Sequence, residues 1–402
     1  MTGTTIAQAI PLAVSPILTR LYTPEDFGLF ALFIALTSVF VSFASGRYEL
    51  AVMLPVDDKE SINILALGLL ITTALSTSLL LFITLFHDII LSLVNNIEIG
   101  VWLYFIPLIV LFTGLYNLLT YFNNRLKCYQ DLAHATIVKS LVLVAVQLGI
   151  GFVKTGATGL ISGQILSSFF ANMKLLKNIL NNRSLLHSIS RKEMLSMAKR
   201  YKDFPLYQAP HALLNTFSSN IPVYLFSSFV NATVVGFYAL STRIVFAPLM
   251  IIAGASAKVY NQKVTQLYNE GGDAYGLSIQ LLQSLLKKIF FPFVLLILFA
   301  PDIFALLFGD SWREAGLYTQ ILSPWLFMVF FVTTISFIPS LMNMQKKALL
   351  LEVIYSILRL LAITTGLFFH DVLLALALFS ATGFMMLSYN MWWMLTSIKK
   401  GL

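Results

Sequence analysis

Five basic side chains set the chemical question in this 402-residue chain. Arg243, Arg359, Lys139, Arg47 and Arg20 stand in or beside long apolar runs, where an ionised group is expensive and normally faces a cavity or a partner. A guanidinium in such a place offers forked donors that match phosphate oxygens. At ~1.5 Å per helical residue, Arg243 lies roughly 14 Å and Arg359 roughly 18 Å from the ends of their segments, near the middle of a bilayer. Lys139 is shallower, at roughly 9 Å. Arg47 lies close to the inner end of the second segment and Arg20 at the outer mouth of the first.

Candidate counter-charges or ion-coupling groups are few, chiefly Glu49 and Glu352. On a continuous helix Glu49, two residues from Arg47, takes a different face. Glu352 precedes Arg359 by seven residues, roughly 10 Å, which predicts no direct contact. The five cations are therefore expected to leave the interior basic in excess and suited to a pyrophosphate. The competing reading pairs each with a carbonyl or carboxylate on a neighbouring helix, or lets it snorkel to an interface.

The elements that must position these groups follow from composition. The chain is 58% hydrophobic and 11% charged, with a mean hydropathy of +0.83, against about 25% charged residues in a soluble domain. This predicts an all-α polytopic membrane protein of twelve transmembrane helices at about 1–20, 28–53, 62–85, 101–121, 133–153, 159–179, 208–229, 234–256, 278–299, 316–341, 347–369 and 372–396. The runs do not alternate in character as barrel strands do. With the N-terminus inside, 21 of the 26 Lys and Arg fall on the cytoplasmic side, and only Arg20, Lys154 and Arg313 fall outside. Both termini of a multi-pass membrane protein are therefore expected in the cytoplasm. The net charge of +8 is explained by this topology and calls for no nucleic-acid partner.

Several chemistries find no support. Cys128 is the single cysteine, so no internal disulfide or cysteine-built metal site is expected. The five histidines are dispersed, no GxxxxGK[ST] motif occurs, and the outer connections are short. No catalytic residues, cofactor or metal are therefore assigned. No signal-peptide cleavage pattern follows the first segment, which is expected to be retained.

The longest connection, NNRSLLHSISRKEMLSMAKRYKDF, is basic and lies at the midpoint. It is expected to be an amphipathic helix against the inner leaflet. It divides the chain into a six-helix lobe at 1–180, a cytoplasmic linker at 181–206 and a second six-helix lobe at 207–402. The halves echo one another. LYTPEDFGLFAL from Leu21 aligns without gaps to FVNATVVGFYAL from Phe229, and HDIILSLV from His87 resembles PDIFALLF from Pro301. Six helices return the chain to its starting side, so the lobes are expected to form a parallel pseudo-two-fold repeat with a cavity between them.

PILTRLYTPEDFGLFAL, GRYELAVMLP, AKRYKDFP, VVGFYALSTRIVFAPL and LFGDSWREAG together resemble the polysaccharide-biosynthesis (Wzx-like) flippases of the multidrug, oligosaccharidyl-lipid and polysaccharide exporter superfamily. The resemblance implies a V-shaped pair of six-helix lobes that passes an undecaprenyl-pyrophosphate-linked oligosaccharide from the inner to the outer leaflet by alternating access, for O-antigen, capsule or exopolysaccharide synthesis. It also implies membrane lipids, a polysaccharide polymerase and chain-length machinery as partners. The setting YALSTRIVFAP of Arg243 resembles the helix-8 arginine motif of lipid-flippase relatives. Family members usually carry a short polar or basic segment before the first helix, whereas this chain opens MTGTTIAQ. The alternative function is a multidrug exporter on the same fold.

Overall fold

The computed structural model describes residues 2–94, 97–154 and 156–400. These residues form helices and connections, with no strand among them. The long helices are α1 (Thr2–Leu21), α2 (Pro24–Val41), α3 (Asp58–Val94), α4 (Ile106–Arg125), α5 (Tyr129–Gly151), α6 (Thr158–Leu180), α7 (Ala209–Phe229), α8 (Ala232–Asn269), α9 (Ala274–Phe308), α10 (Arg313–Ile335), α11 (Gln345–Phe368) and α12 (Val372–Lys400). Each expected span overlaps one of them, the second only as far as Val41.

Among the described residues, nine helices are long and apolar enough to cross a membrane; α1, α6 and α7 are not among the nine. Those three carry more Ser, Thr, Asn and Gln. Their polar groups are largely satisfied by nearby carbonyls, as where Ser15 donates to Pro11 O at 2.8 Å and Asn172 to Phe112 O at 2.8 Å, which removes most of the cost of placing them in a membrane. α3 and α9 turn Leu81, Leu85, Phe291, Leu298 and Leu306 outward. In water such faces would drive aggregation, but against lipid tails they cost nothing. The protein is a multi-pass membrane protein.

The second span departs from expectation. Instead of one helix over 28–53, α2 begins at Pro24 and ends at Val41, and after a turn a short helix follows at Tyr48–Ala51. Thr23 caps α2: its Oγ1 accepts from Asp26 N at 3.2 Å while its own N–H donates to Asp26 Oδ2 at 2.9 Å, a complete capping box. The acids of the first connection thus cap a helix. Beside them Tyr22 donates to Gln147 O at 2.6 Å. Burial, and secondarily the Asp26 charge, pushes its phenol up to about 12 and keeps it a donor.

Pro107 and Pro339 occupy first-turn positions, where no backbone bond is lost. Tyr22, Trp312 and Trp393 are buried, whereas Trp392 is exposed.

The internal repeat has a structural counterpart. Asn231, which aligns with Thr23, caps α8 by accepting from Val234 N at 2.9 Å, so both copies begin their helix at the same aligned residue. Gly28 and Gly236 then pack reciprocally. A Cβ at Gly28 would overlap the carbonyl of Ala232, and one at Gly236 the carbonyl of Pro24. Pro24 and Ala232 are themselves aligned residues, so the α2–α8 crossing is a pseudo-two-fold contact that only glycine permits.

The described residues divide into two compact units, 1–236 and 237–402. This boundary lies beyond the basic linker because α7 is tied to α2. Tyr224 donates to Ala35 O at 2.7 Å, and Asn220 donates to Ser38 Oγ at 3.2 Å. In the second unit, the LFGDSWREAG stretch turns at Gly309, whose φ of 104° only glycine adopts readily, and Arg313 then pairs with Asp302 at 2.5 Å.

Within the first unit the 181–206 linker is docked on α3 through two short helices, Arg183–His187 and Arg191–Arg200. Asn63 on α3 holds it from both sides, donating to Ser188 O at 3.0 Å and accepting from Ser190 N at 2.9 Å. Met197 and Leu185 are buried in the same cluster as Tyr48, Val52 and Ile62. Arg191, Lys192, Lys199 and Arg200 stay exposed.

Arg125, at the end of α4, fastens the nearby 52–58 loop. It pairs with Asp58 at 2.7 Å and donates to the carbonyls of Pro55 at 2.6 Å, Val56 at 3.0 Å and Val52 at 3.3 Å. Arg125→Ala is expected to lower stability by about 2–3 kcal/mol, the scale of charge-assisted bonds at a largely buried side chain. The check is the SDS concentration at half-unfolding, with Arg125→Lys recovering part of the loss because an ammonium cannot span all four acceptors.

Candidate functional site

The turn that ends α2 builds the site. SFASGR contains a glycine and two serines, residues that compete with or loosen helical bonding. The chain leaves α2 at Ser42 and reverses through Gly46 (φ 61°) and Arg47 (φ 63°), both left-handed. Glycine adopts this conformation freely, whereas for Arg47 it costs about 1–2 kcal/mol. A non-glycine residue held there is over-determined by its surroundings.

Those surroundings are a buried carboxylate and a polar cavity. Arg47 Nη1 lies 3.4 Å from Glu49 Oε1 and 3.5 Å from Ser42 O. Glu49 is buried and accepts a hydrogen bond from Ser45 Oγ. Arg47 Nε is buried without a partner among the described residues. The predicted separation of Arg47 and Glu49 is therefore wrong. It assumed a continuous helix, and the left-handed turn brings the two side chains together.

Arg47 lines a cavity of about 400 Å3 with Ser38 and Ser42 of α2, Asn117 of α4, and His211 and Asn215 of α7. Every helix here contributes a donor or an acceptor. With one guanidinium, an imidazole, two amides and the three hydroxyls of Ser38, Ser42 and Thr216, the pocket can receive an anionic, multiply hydrogen-bonding group.

The other predicted cations lie elsewhere. Lys139 on α5 places its ammonium 4.2 Å from the Tyr116 ring centre. Arg20 is exposed at the end of α1. Arg359 on α11 stacks 3.6 Å from the Tyr355 ring centre and reaches Glu352 at 3.9 Å. The expectation that Glu352 is out of reach is thus corrected, since two long side chains span two helical turns and Tyr355 sits between them. Arg243 on α8 is partly buried, and no carboxylate pairs with it among the described residues. In the first unit Arg47 and Glu49 are brought together, and in the second Arg359 and Glu352.

His211, Asn117, Asn215 and Ser38 were not identified from sequence. For His211 and Asn215 a signal was present in the weak hydropathy of α7, whose HALLNTFSSN start is unusually polar for a membrane helix; Ser38 and Asn117 lie in more apolar segments and carried none.

The fold is that of the exporter superfamily. The chain is similar to the inward-facing structure of a multidrug resistance MATE family transporter of the MOP superfamily, with a TM-score of 0.75, 14% identity, and coverage of 98% of this chain and 96% of that one. It is also similar to the inward closed structure of the lipid II flippase MurJ, with a TM-score of 0.75, 13% identity, and coverage of 99% and 87%. A MOP superfamily transporter from Pyrococcus furiosus matches with a TM-score of 0.55, 15% identity, and coverage of 99% and 92%. No curated protein sequence matches. The profile of the polysaccharide biosynthesis protein family matches residues 17–317, and the chain belongs to that family.

Proposed function

We propose that this protein is a flippase that carries an undecaprenyl-pyrophosphate-linked oligosaccharide from the inner to the outer leaflet of the bacterial cytoplasmic membrane, for O-antigen, capsule or exopolysaccharide synthesis. The observation that carries the reading is a polar pocket built around Arg47 in a multi-pass member of a polysaccharide-biosynthesis family. A pyrophosphate brings charge and acceptors, and the pocket brings a guanidinium and neutral donors. The lipid II flippase on a similar fold supports the same substrate class. The protein then acts as a transporter rather than an enzyme.

In this reading the repeat divides the chain into lobes at 1–180 and 207–402, joined by the 181–206 linker, and the lobes expose the substrate alternately to the two sides. The Lys and Arg distribution supports cytoplasmic termini. Arg243, Arg359, Lys139 and Arg20 supply further cations along the path, Glu49 and Glu352 act as counter-charges, and a polymerase with chain-length machinery receives the product. A drug exporter on the same fold is less well supported. A cationic drug calls for a free carboxylate or an aromatic cage, and Glu49 beside the pocket is already held by Arg47 and Ser45.

Deleting the gene is expected to cause accumulation of the lipid-linked oligosaccharide and loss of surface polysaccharide, both reversed by the wild-type protein. Normal surface polysaccharide without accumulation defeats the reading. Arg243→Ala is expected to reduce flux about tenfold at normal protein level, the loss of one charge-assisted contact. Unchanged flux removes Arg243 from the path.

A further inference from the structure

We infer that Tyr48 is a positioning residue of the polar pocket, through which the docked linker sets the place of Arg47 against the α7 wall. The role rests on the flippase reading and adds what holds its anion site in shape.

Gly46 and Arg47 are consecutive left-handed residues, a conformation that Arg47 holds at a cost. The contacts among Ser45, Arg47 and Glu49 lie within the turn, so they fix its shape and move with it. Tyr48 reaches outside. Its side chain is buried, and its hydroxyl donates at 3.1 Å to the carbonyl of Ala198 in the linker helix Arg191–Arg200. Ala198 O is among the last four carbonyls of that helix, which lack partners within it. One bond therefore caps the linker helix and fastens the Arg47 turn.

The same linker leads into the opposite wall. After Arg200 the chain passes through a π-helical segment, Phe204–Gln208, and enters α7 at Ala209. A π turn inserts about one extra residue and advances the side chains after it by roughly 100° around the axis. His211, Asn215 and Thr216 of the pocket follow within two turns. The segment also approaches the Arg47 turn, since a Cβ at Gly46 would lie 3.7 Å from Pro205 Cβ. Arg47 and the α7 wall thus hang from one element, and the gap between them depends on how that element is seated.

The seat is made elsewhere. Asn63 grips Ser188 and Ser190, Arg200 pairs with Glu60 at 3.1 Å, and Met197 fills the core. None of these residues lines the pocket, and neither does Tyr48. Tyr48 therefore acts on a bound anion through Arg47.

The test uses the full-length protein in lipid nanodiscs with inorganic pyrophosphate as the probe, titrated by calorimetry, together with flux of the lipid-linked oligosaccharide in cells. Tyr48→Phe keeps the buried ring and loses one neutral hydrogen bond. It is expected to raise the pyrophosphate dissociation constant about fivefold, the scale of that bond, and to lower flux at low substrate supply while maximal flux is retained. Tyr22→Phe is the control, because it removes an equivalent phenol–carbonyl bond, to Gln147 O, beside the start of α2. It should cost similar resistance to SDS unfolding and leave pyrophosphate binding at the wild-type value. Asn63→Ala loosens the linker at Ser188 and Ser190, and should weaken binding in the wild-type background but add little in Tyr48→Phe. Equal loss of binding in Tyr48→Phe and Tyr22→Phe marks general destabilisation and overturns the inference. Additive effects of Asn63→Ala and Tyr48→Phe also overturn it, because independent sites add. Wild-type binding in Tyr48→Phe, with binding still lost in Arg47→Ala, removes the role of Tyr48 and leaves the flippase reading standing. Failure of that reading appears separately, as normal surface polysaccharide in the deletion strain.

Discussion

Arg47→Ala is expected to lower lipid-linked oligosaccharide flux by roughly 10- to 100-fold, the range of one to two charge-assisted hydrogen bonds to an anion. It should also destabilise the fold, because Glu49 is buried and loses its only cationic partner among the described residues. Breaking a buried pair from one side costs about 3–5 kcal/mol, and the lower figure applies here because the Arg47 side chain is 28% exposed. The two effects separate in a double variant. Arg47→Ala with Glu49→Gln removes the orphaned charge, since a neutral amide of the same shape can keep a hydrogen bond with Ser45. Its resistance to SDS unfolding should return close to wild type while flux stays low. Glu49→Gln alone frees Arg47 from its competitor, and flux should be retained. Wild-type flux in Arg47→Ala at matched protein level would show that the pocket does not bind the transported anion.

The second large effect is steric. At Gly28 and Gly236 the obstacle to a side chain is the carbonyl of an opposing helix start, and backbone cannot rotate away as a flexible side chain can. Gly28→Val and Gly236→Val are each expected to force α2 and α8 apart at their first turns. The cost should reach or exceed the roughly 1–3 kcal/mol typical of overpacking, with a lower melting temperature in detergent and loss of transport. Because the contact is reciprocal, one Cβ already opens the crossing for the other. The double variant should therefore be destabilised by clearly less than the sum of the singles. Additive effects would mean that the two glycines do not share one contact.

Residues that depend on their neighbours in the chain were legible in the sequence. The length and apolarity of α3 or α9 follow from hydropathy. The cap at Thr23 follows from the order of Thr, Pro and acid, and the echo of Gly28 at Gly236 follows from direct alignment. Even the weak apolarity of α7, which marks the polar wall of the pocket, lies open in HALLNTFSSN.

Misreadings arose where one backbone turn or one long side chain changes which groups meet. A helix drawn through 42–47 separates Arg47 from Glu49, while two successive left-handed residues join them. Counting rise alone separates Arg359 from Glu352, while extended side chains bring them to 3.9 Å. Sequence separation likewise hides Ser38 from Asn220, although a hydrogen bond joins them.

The sequence by itself determined that this is an all-helical membrane protein with an internal echo and costly cations in its apolar segments. Those properties are sums over local residues, set by transfer energies and helical hydrogen bonding within each segment. Only the tertiary structure decided that Arg47 lines a polar pocket with residues of α4 and α7 and that the paired glycines touch. Those outcomes depend on how helices from distant parts of the chain pack, and a segment's own hydropathy carries no information about the face its neighbour will cover.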